Sequence, residues 1–323
     1  MKTILITGCA GFIGYHLAKK LSSKKSKCKI IGVDNLNNLT GLKIKQDRLK
    51  QLEINNNFQF YKTDISNLIK LEELFKKFNF TDVINFAALA GVRNSTLFAR
   101  KYFNSNVNGF YNVISLSKKY KVKKFIYASS SSVYGDTQSF PTNEKVSTSS
   151  QKSFYAMTKN INEVVSRFIS TEVKMLIIGL RFFTVYGEYG RPDMFMKNIV
   201  SSIIERKTFN IFGYGKHERD FTYIADVVKI LDLLIFKKSN SKNKELVYNI
   251  GSGRKISLKK IIKVIEKNLD KRGKFNFIKQ QRGDVLKTHS NNELIQKEYK
   301  KLNFTDIEVG IKNYVKWHKN YYY

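Results

Sequence analysis

Residues 3–14 read TILITGCAGFIG, and this stretch decides the fold. The run at 3–7 is typical of a buried strand, three glycines follow it, and a helical pattern begins at Phe12. In such a turn the first glycine lets the chain bend tightly, the second lets backbone N–H groups approach a pyrophosphate, and the third lets the helix pack closely on the strand. The pattern predicts a dinucleotide site at Gly8, Gly11, Phe12, Ile13 and Gly14; a glycine-rich turn without a ligand is the alternative.

A second predicted strand, 29–34, ends on Asp34, at the spacing expected for a carboxylate that binds a ribose. A carboxylate accepts hydrogen bonds from ribose hydroxyls and repels a 2′-phosphate, so Asp34 favours NAD over NADP as the cofactor. After the third predicted strand, Asp64 and Ile65 are candidates for contact with the adenine. An aspartate at such a place is as often a helix N-cap.

Strand and helix patterns alternate through the first half of the chain. Strands are predicted at 3–7, 29–34, 58–62, 82–86, 124–129 and 175–182. The pattern predicts the α/β class, with a Rossmann-type doubly wound parallel sheet covered on both faces. Shorter strands are predicted near 209–212, 220–224, 247–250 and 275–278. We expect an NAD-binding domain over 1–175 and a smaller α/β substrate-binding lobe mainly over 176–323, with the chain crossing between them more than once.

The composition excludes several classes of protein. The 323 residues are 42% hydrophobic, which suffices for an enzyme-sized core, and no apolar run reaches the roughly 18 residues of a membrane helix. The net charge of +32 suggests nucleic acid as a partner. The lysines are scattered along the chain, however, which favours a solvated basic surface. Two cysteines outside any metal or disulfide pattern indicate a reducing compartment. We therefore expect a cytoplasmic protein with no metal site, no membrane insertion and no nucleic-acid partner.

A helix predicted over 154–171 carries two residues with chemistry. Its apolar positions share one stripe, Phe154, Met157, Ile161, Val164, Val165 and Phe168. Tyr155 and Lys159 are four residues apart, so they share a different face. A tyrosine beside an ammonium and a cationic nicotinamide has a lowered phenol pKa and can act as a general base. Taken alone, such a pair is common and mostly structural.

Tyr155 and Lys159 indicate a family when they are combined with the glycine motif and with SSSSVYG at 129–135. The sequence resembles the extended short-chain dehydrogenase/reductase family, in particular its nucleotide-sugar epimerases, from the glycine turn to the helix around Trp317. The resemblance implies that Tyr155 is the base, that Lys159 lowers its pKa and holds the nicotinamide ribose, and that Ser130 hydrogen-bonds the reacting hydroxyl. It also implies that Ala87 and Asn106 belong to the cofactor site.

The neighbours of Ser130 discriminate between reactions of this family. The 4,6-dehydratases carry an Asp-Glu pair after the catalytic residue, because eliminating water needs an extra acid and base. This chain has Ser131 and Ser132 at those two places. The UDP-glucuronate decarboxylases keep a Glu at the second place, which is also absent here. A 4-epimerase needs only hydride removal, rotation of the keto intermediate and hydride return, so the residues present suffice for epimerisation.

The segment RFFTVYG at 181–187, followed by GRPDM at 190–194, resembles the UDP-glucuronate 4-epimerases. In these relatives Thr184 and Arg191 correspond to residues that grip the sugar carboxylate, and a guanidinium binds a carboxylate bidentately. Galactose epimerases usually have Asn at the place of Thr184. The alternative for Arg191 is a surface turn before a helix that starts at Pro192. Arg93 matches a loop beside the sugar, and Arg219 and Arg282 match positions that hold the nucleotide diphosphate.

Alternatives remain open at this point. Asn85 and Leu89 depart from the usual residues of the family and leave the accepted hexose configuration in doubt. A UDP-glucose or UDP-N-acetylhexosamine 4-epimerase shares every motif except the carboxylate grip, and a non-catalytic NAD-bound or nucleic-acid-binding scaffold is supported only by the charge. The apolar stripe of the helix at 154–168, together with a helix predicted over 99–120, resembles the helix pair through which the family forms homodimers. Alternatively, that stripe packs only on its own sheet.

Overall fold

The computed structural model describes residues 1–23, 28–237, 241, 243–280, 285–299 and 302–323. The strands among them are β1 (Lys2–Thr7), β2 (Cys28–Asp34), β3 (Phe58–Lys62), β4 (Asp82–Asn85), β5 (Lys124–Ser130), β6 (Leu176–Phe182), β7 (Thr184–Tyr186), β8 (Thr208–Phe212), β9 (Glu218–Tyr223), β10 (Glu245–Ile250), β11 (Lys255–Ser257) and β12 (Lys274–Ile278). Every strand predicted from the sequence is found, with ends that differ by only a few residues. The short strands β7 and β11 are additional.

A seven-stranded parallel sheet is the centre of the fold, in the order β10-β6-β5-β4-β1-β2-β3. Successive residues of a strand face opposite sides of it, so Ile4 and Ile6 enter one hydrophobic cluster whereas Leu5 enters the other. Both faces are therefore buried, which explains why the strands are nearly continuous apolar runs. The predicted Rossmann-type doubly wound α/β fold is confirmed.

Helices cover both faces of this sheet. They are α1 (Phe12–Leu21), α2 (Leu42–Glu53), α3 (Leu68–Lys77), α4 (Val92–Leu97), α5 (Ala99–Phe103), α6 (Gly109–Lys119), α7 (Phe154–Glu172), α8 (Phe195–Ile204), α9 (Ile224–Phe236), α10 (Leu258–Leu269), α11 (Glu293–Tyr299) and α12 (Ile307–Tyr322). The helix predicted over 99–120 consists of α5 and α6 joined by a π-helical stretch, Asn104–Asn108. The helix expected to start at Pro192 begins later, at Phe195.

The remaining strands form two small sheets, β11-β9-β7 and β12-β8. Strands β6 and β10 belong to the large sheet although both follow residue 175. Strand β7 begins two residues after β6 ends and belongs to a small sheet. The chain thus crosses between the sheets more than once. The assignment of substrate binding mainly to 176–323 stays a prediction. Within the described part of the chain, no helix has the length and apolar character needed to cross a bilayer.

Candidate active site

A cleft opens at the carboxyl ends of β1, β2, β4, β5 and β6, where an open parallel sheet places its ligands. Predicted residues from distant parts of the sequence meet there. Those that line it are Gly8, Gly11, Phe12, Ile13, Gly14, Asp34, Ile65, Ala87, Ser130, Tyr155, Lys159, Thr184 and Arg191. Their contact with a cofactor or a sugar stays a prediction.

The glycine turn has the geometry that a dinucleotide needs. Gly8 has a φ of +70°, and a Cβ there would lie 2.7 Å from the backbone nitrogen of Ala87. A Cβ on Gly14 would lie 2.2 Å from the carbonyl oxygen of Gly8, so the helix packs directly on the turn. Gly11 is the N-cap of α1 and, as a glycine, has no side chain to bind the first N–H groups of the helix. These groups and the positive helix end suit a pyrophosphate, so the residues fit NAD.

Asp34 ends β2 and is almost fully buried at the edge of the cleft. Its Oδ1 accepts hydrogen bonds from the Leu36 backbone N–H at 2.8 Å and from Lys45 Nζ at 3.2 Å. The Lys45 side chain is also buried, so this ion pair is shielded from water. Sequence analysis did not identify Lys45, because no local pattern indicates that α2 turns this lysine toward the end of β2.

Two predicted cofactor residues do not line the cleft. Asp64 accepts hydrogen bonds from Asn35 Nδ2 at 2.7 Å and from Ser66, and Asn67 is the N-cap of the following helix. Asp64 is therefore not the helix N-cap considered as its alternative role. Its interactions with Asn35 and Ser66 lower the pKa of its carboxyl, although burial opposes them.

Asn106 is buried behind the wall of the cleft. Its side chain exchanges two hydrogen bonds with the backbone of Leu89, at 2.7 and 2.9 Å, and donates to Thr158 at 3.1 Å. These contacts use both N–H donors of the amide and one of the two acceptor sites on its oxygen. Asn106 thus anchors the loop that lines the cleft to helix α7.

The Tyr155 and Lys159 side chains project from the first turns of α7, whose N-cap Ser153 accepts from the Ala156 N–H at 3.1 Å. Lys159 Nζ donates to the carbonyl oxygen of Ala128 at 2.8 Å and lies 5.9 Å from the centre of the Tyr155 ring. Ser130 sits at the end of β5, close enough to Tyr155 to lower the pKa of its phenol, and both residues line the cleft. The structure therefore brings the three predicted catalytic residues together.

Burial changes the pKa values of Tyr155 and Lys159. Burial raises the pKa of the Tyr155 phenol, and the Ser130 hydrogen bond and the charge of Arg191 lower it by less. Burial lowers the pKa of Lys159 to about 8. In the chain by itself desolvation dominates and Lys159 donates to Ala128, so the lowering of the Tyr155 pKa by Lys159 stays a prediction.

A buried polar network supports Ser130 from behind, and sequence analysis missed it. The neighbouring Ser129 donates to Glu163 Oε1 at 2.5 Å, and Arg181 binds the same carboxylate through Nε at 3.0 Å and Nη2 at 2.7 Å. Arg181 Nη1 also donates to the Tyr134 hydroxyl at 2.9 Å. The end of β5 is therefore fixed by contacts to both α7 and β6.

Arg191 lines the cleft across from the tyrosine. Its Nε and Nη2 bind both carboxylate oxygens of Asp193, at 2.9 and 2.8 Å, a pairing that the sequence analysis did not foresee. Asp193 raises the pKa of Arg191, although burial opposes this. Because its charge also lowers the pKa values of Tyr155 and Tyr102, Arg191 is close to both phenols.

The other predicted arginines are elsewhere. Arg93 lies on α4 with its guanidinium 5.2 Å from the centre of the Phe212 ring, and it is not among the described residues that line the cleft. Arg219 on β9 donates to the carbonyl oxygen of Glu218 at 3.2 Å and also lies outside that lining. Arg282 falls outside the described residues.

Comparison with known proteins agrees with this geometry. The model of the NAD dependent epimerase/dehydratase family matches residues 4–251. The UDP-glucuronate 4-epimerase of Thermodesulfobacterium geofontis is 37% identical, over 98% of this chain and 95% of that protein. Protein CapI of Staphylococcus aureus is also 37% identical, over 99% of both chains.

Among solved structures, the UDP-glucuronic acid 4-epimerase of Bacillus cereus in complex with UDP-glucuronic acid and NAD superposes with a TM-score of 0.91. It is 32% identical and covers 99% of this chain and 100% of its own. The family resemblance carried by the glycine, serine and tyrosine motifs is confirmed. The chain therefore belongs to the NAD-dependent epimerase/dehydratase family.

Proposed function

We propose that this protein is an NAD-dependent isomerase that epimerises C4 of a UDP-hexuronic acid and thereby interconverts UDP-glucuronate and UDP-galacturonate. The observation that carries the proposal is the position of Arg191 and Thr184 in the same cleft as Tyr155, Ser130 and Lys159. A cation at this place suits a sugar that bears a carboxylate. The UDP-glucuronate 4-epimerases among the relatives and the solved structures support the same substrate.

The chain's own residues have defined tasks in such a reaction. The Tyr155 phenolate oxygen takes the proton of the 4-hydroxyl, Ser130 orients that hydroxyl, and the Lys159 ammonium stabilises the phenolate before the proton is transferred. NAD, when bound, accepts the hydride from C4 and returns it to the opposite face of the sugar. Asp34 binds the adenosine ribose, and the glycine turn binds the pyrophosphate. Arg93, Arg219 and Arg282 remain proposed contacts of the UDP-sugar.

The carboxylate grip also protects the intermediate. A 4-keto uronic acid is a β-keto acid, and it loses CO2 when the bond to its carboxylate aligns with the π system of the ketone. Thr184 and Arg191 are proposed to hold the carboxylate where this overlap is poor. An epimerase for a uronic acid thus needs a grip that one for a neutral sugar does not.

One observation favours a second candidate. The charge of Arg191 is already balanced by Asp193, which makes the cleft less attractive to a further carboxylate and suits a neutral UDP-hexose. Purified protein is therefore incubated with UDP-glucuronate and, in parallel, with UDP-glucose, and the nucleotide sugars are separated by chromatography. We expect UDP-galacturonate from the first incubation. A clear preference for UDP-glucose would overturn the uronate assignment in favour of the neutral-sugar epimerase.

We also propose that the protein is a homodimer. In the stripe on α7, Val164 and Phe168 are 54% and 63% exposed, and Phe103 and Tyr111 on the neighbouring helices α5 and α6 are exposed too. Exposed apolar residues on adjacent helices are typical of an interface. Light scattering at micromolar concentration should give twice the monomer mass. A monomer would contradict this assembly.

A cytoplasmic location without a nucleic-acid partner remains part of the proposal. The two free cysteines, Cys9 and Cys28, are both buried and suit a reducing compartment. A nucleotide sugar already accounts for the lysines and arginines that line the cleft. Gel-shift measurements with duplex DNA and RNA at physiological salt should show only weak, salt-sensitive binding.

A further inference from the structure

The short segment 188–190 directly precedes Arg191 and has an unusual backbone. Tyr189 has a φ of +52°, a left-handed conformation that is uncommon for a residue with a Cβ. The N–H of Gly190 donates to the carbonyl oxygen of Gly187 at 3.1 Å, which closes a tight turn. The direction in which the chain leaves Tyr189 therefore decides where the Arg191 side chain starts.

Arg48 connects this segment to the glycine turn. It lies on α2, is only 2% exposed, and burial lowers its pKa to about 10, so it remains charged at neutral pH. Its Nη1 donates to the carbonyl oxygen of Ala10 at 2.6 Å, and its Nη2 donates to that of Tyr189 at 2.5 Å. One rigid, planar guanidinium, itself part of the lining of the cleft, thus links the glycine turn to the segment before Arg191.

Further contacts hold Tyr189 in the same position. Its hydroxyl accepts from Gln51 Nε2 at 2.5 Å, and its ring lies 5.1 Å from that of Tyr15 and 5.0 Å from that of Trp317. His16 Nε2 lies 2.8 Å from the carbonyl oxygen of the preceding residue, Glu188. Residues of α1, α2 and α12 therefore converge on one strained residue, and such strain persists only where the surroundings fix it.

We propose that Arg48 is a positioning residue that sets the place of Arg191 relative to the cofactor turn, and so the grip on the sugar carboxylate. This inference rests on the proposed function of the cleft. Arg48 touches the backbone of both loops and needs no contact with the reacting atoms. Because displacements of about 1 Å have large effects on positioned groups, loosening this link disturbs carboxylate binding before it disturbs the rest of the site.

The test is the Arg48→Lys variant, with binding of UDP-glucuronate and UDP-glucose measured by calorimetry in the presence of saturating NAD. A lysine keeps the charge, but its single ammonium cannot reproduce the planar fork that reaches both carbonyl groups. We expect the Kd for UDP-glucuronate to rise about tenfold while the Kd for UDP-glucose changes less than about twofold. With UDP-glucuronate, a larger share of decarboxylated product should appear by mass spectrometry.

A control on the same helix separates positioning from general loss of stability. Leu52 is fully buried in the core and does not line the cleft, so Leu52→Ala lowers the Tm and should leave the ratio of the two Kd values unchanged. If Arg48→Lys does not fold, Gln51→Leu removes the hydrogen bond to the Tyr189 hydroxyl, together with those that Gln51 Oε1 accepts from Tyr15 and Lys19. It should change the ratio in the same direction by about two- to fivefold.

The outcomes distinguish this inference from the proposed function. An unchanged ratio of the two Kd values in Arg48→Lys would overturn the positioning role; Gln51→Leu takes its place if Arg48→Lys does not fold. An equal change of this ratio in Leu52→Ala would overturn it as well. If wild-type protein epimerises UDP-glucuronate and Arg191→Ala weakens its binding while the ratio in Arg48→Lys stays unchanged, only the role of Arg48 fails. If wild-type protein leaves UDP-glucuronate unconverted, the proposed function fails, and this inference fails with it.

Discussion

Replacing Arg191 by alanine tests the proposed substrate most directly. Leaving a charge unpaired in a closed site costs about 2 to 5 kcal/mol. Here the Arg191 side chain is 23% exposed and its partner Asp193 is 45% exposed, so water screens the site and the lower end applies. A loss of about 2 kcal/mol corresponds to a Kd for UDP-glucuronate that is about 30-fold higher.

Binding and turnover should respond differently in this variant. UDP-glucose has no charge at C6, so its Kd should change little. The positive charge of Arg191 lowers the pKa of Tyr155, and removing it should raise that pKa and slow turnover of both substrates at neutral pH. With the carboxylate free to rotate, UDP-glucuronate should also yield a UDP-pentose or its ketone.

The assay combines calorimetry for the two Kd values with mass analysis of the nucleotide sugars. Arg191→Lys is the matched control, because it keeps the charge and loses only the bidentate geometry; it should fall between wild type and Arg191→Ala in its Kd for UDP-glucuronate. Equal increases in the Kd of both substrates would refute the carboxylate grip. So would the absence of decarboxylated product together with a wild-type Kd for UDP-glucuronate.

Three further predictions concern the rest of the site and the fold. Tyr155→Phe should abolish epimerisation with a nearly unchanged Kd for UDP-glucuronate, and an active variant would reassign the base. Asp34→Ser should lower the NAD content of the purified protein and, because Lys45 is left unpaired, should permit binding of NADPH, both measurable in the supernatant after denaturation. Burial lowers the pKa of His318 to about 4, so between pH 4 and about 6.5 the unfolded chain binds a proton that the folded chain does not. The free energy of unfolding should therefore increase by up to about 3 kcal/mol as the pH rises through this range. Urea unfolding at pH 5 and 7 measures this rise, and a His318→Gln variant that keeps the full pH dependence would contradict it.

The sequence by itself determined the features that depend on neighbouring residues. The glycine turn, Asp34 at the end of a strand, and Tyr155 and Lys159 on one helix each lie within a single segment, where local periodicity and steric limits fix the geometry. The parallel sheet follows from the alternation of strands and helices, because both of its faces must be covered.

Only the tertiary structure decided how these segments meet. Lys45 pairs with Asp34, and Arg48 reaches residues that are 38 and 141 positions away, because the packing of α2 turns both side chains toward the cleft. Asn106 anchors the cleft wall through Leu89, a contact that its sequence position does not indicate. Such contacts depend on side-chain directions across elements that are distant in sequence, and a single sequence contains no local signal for them.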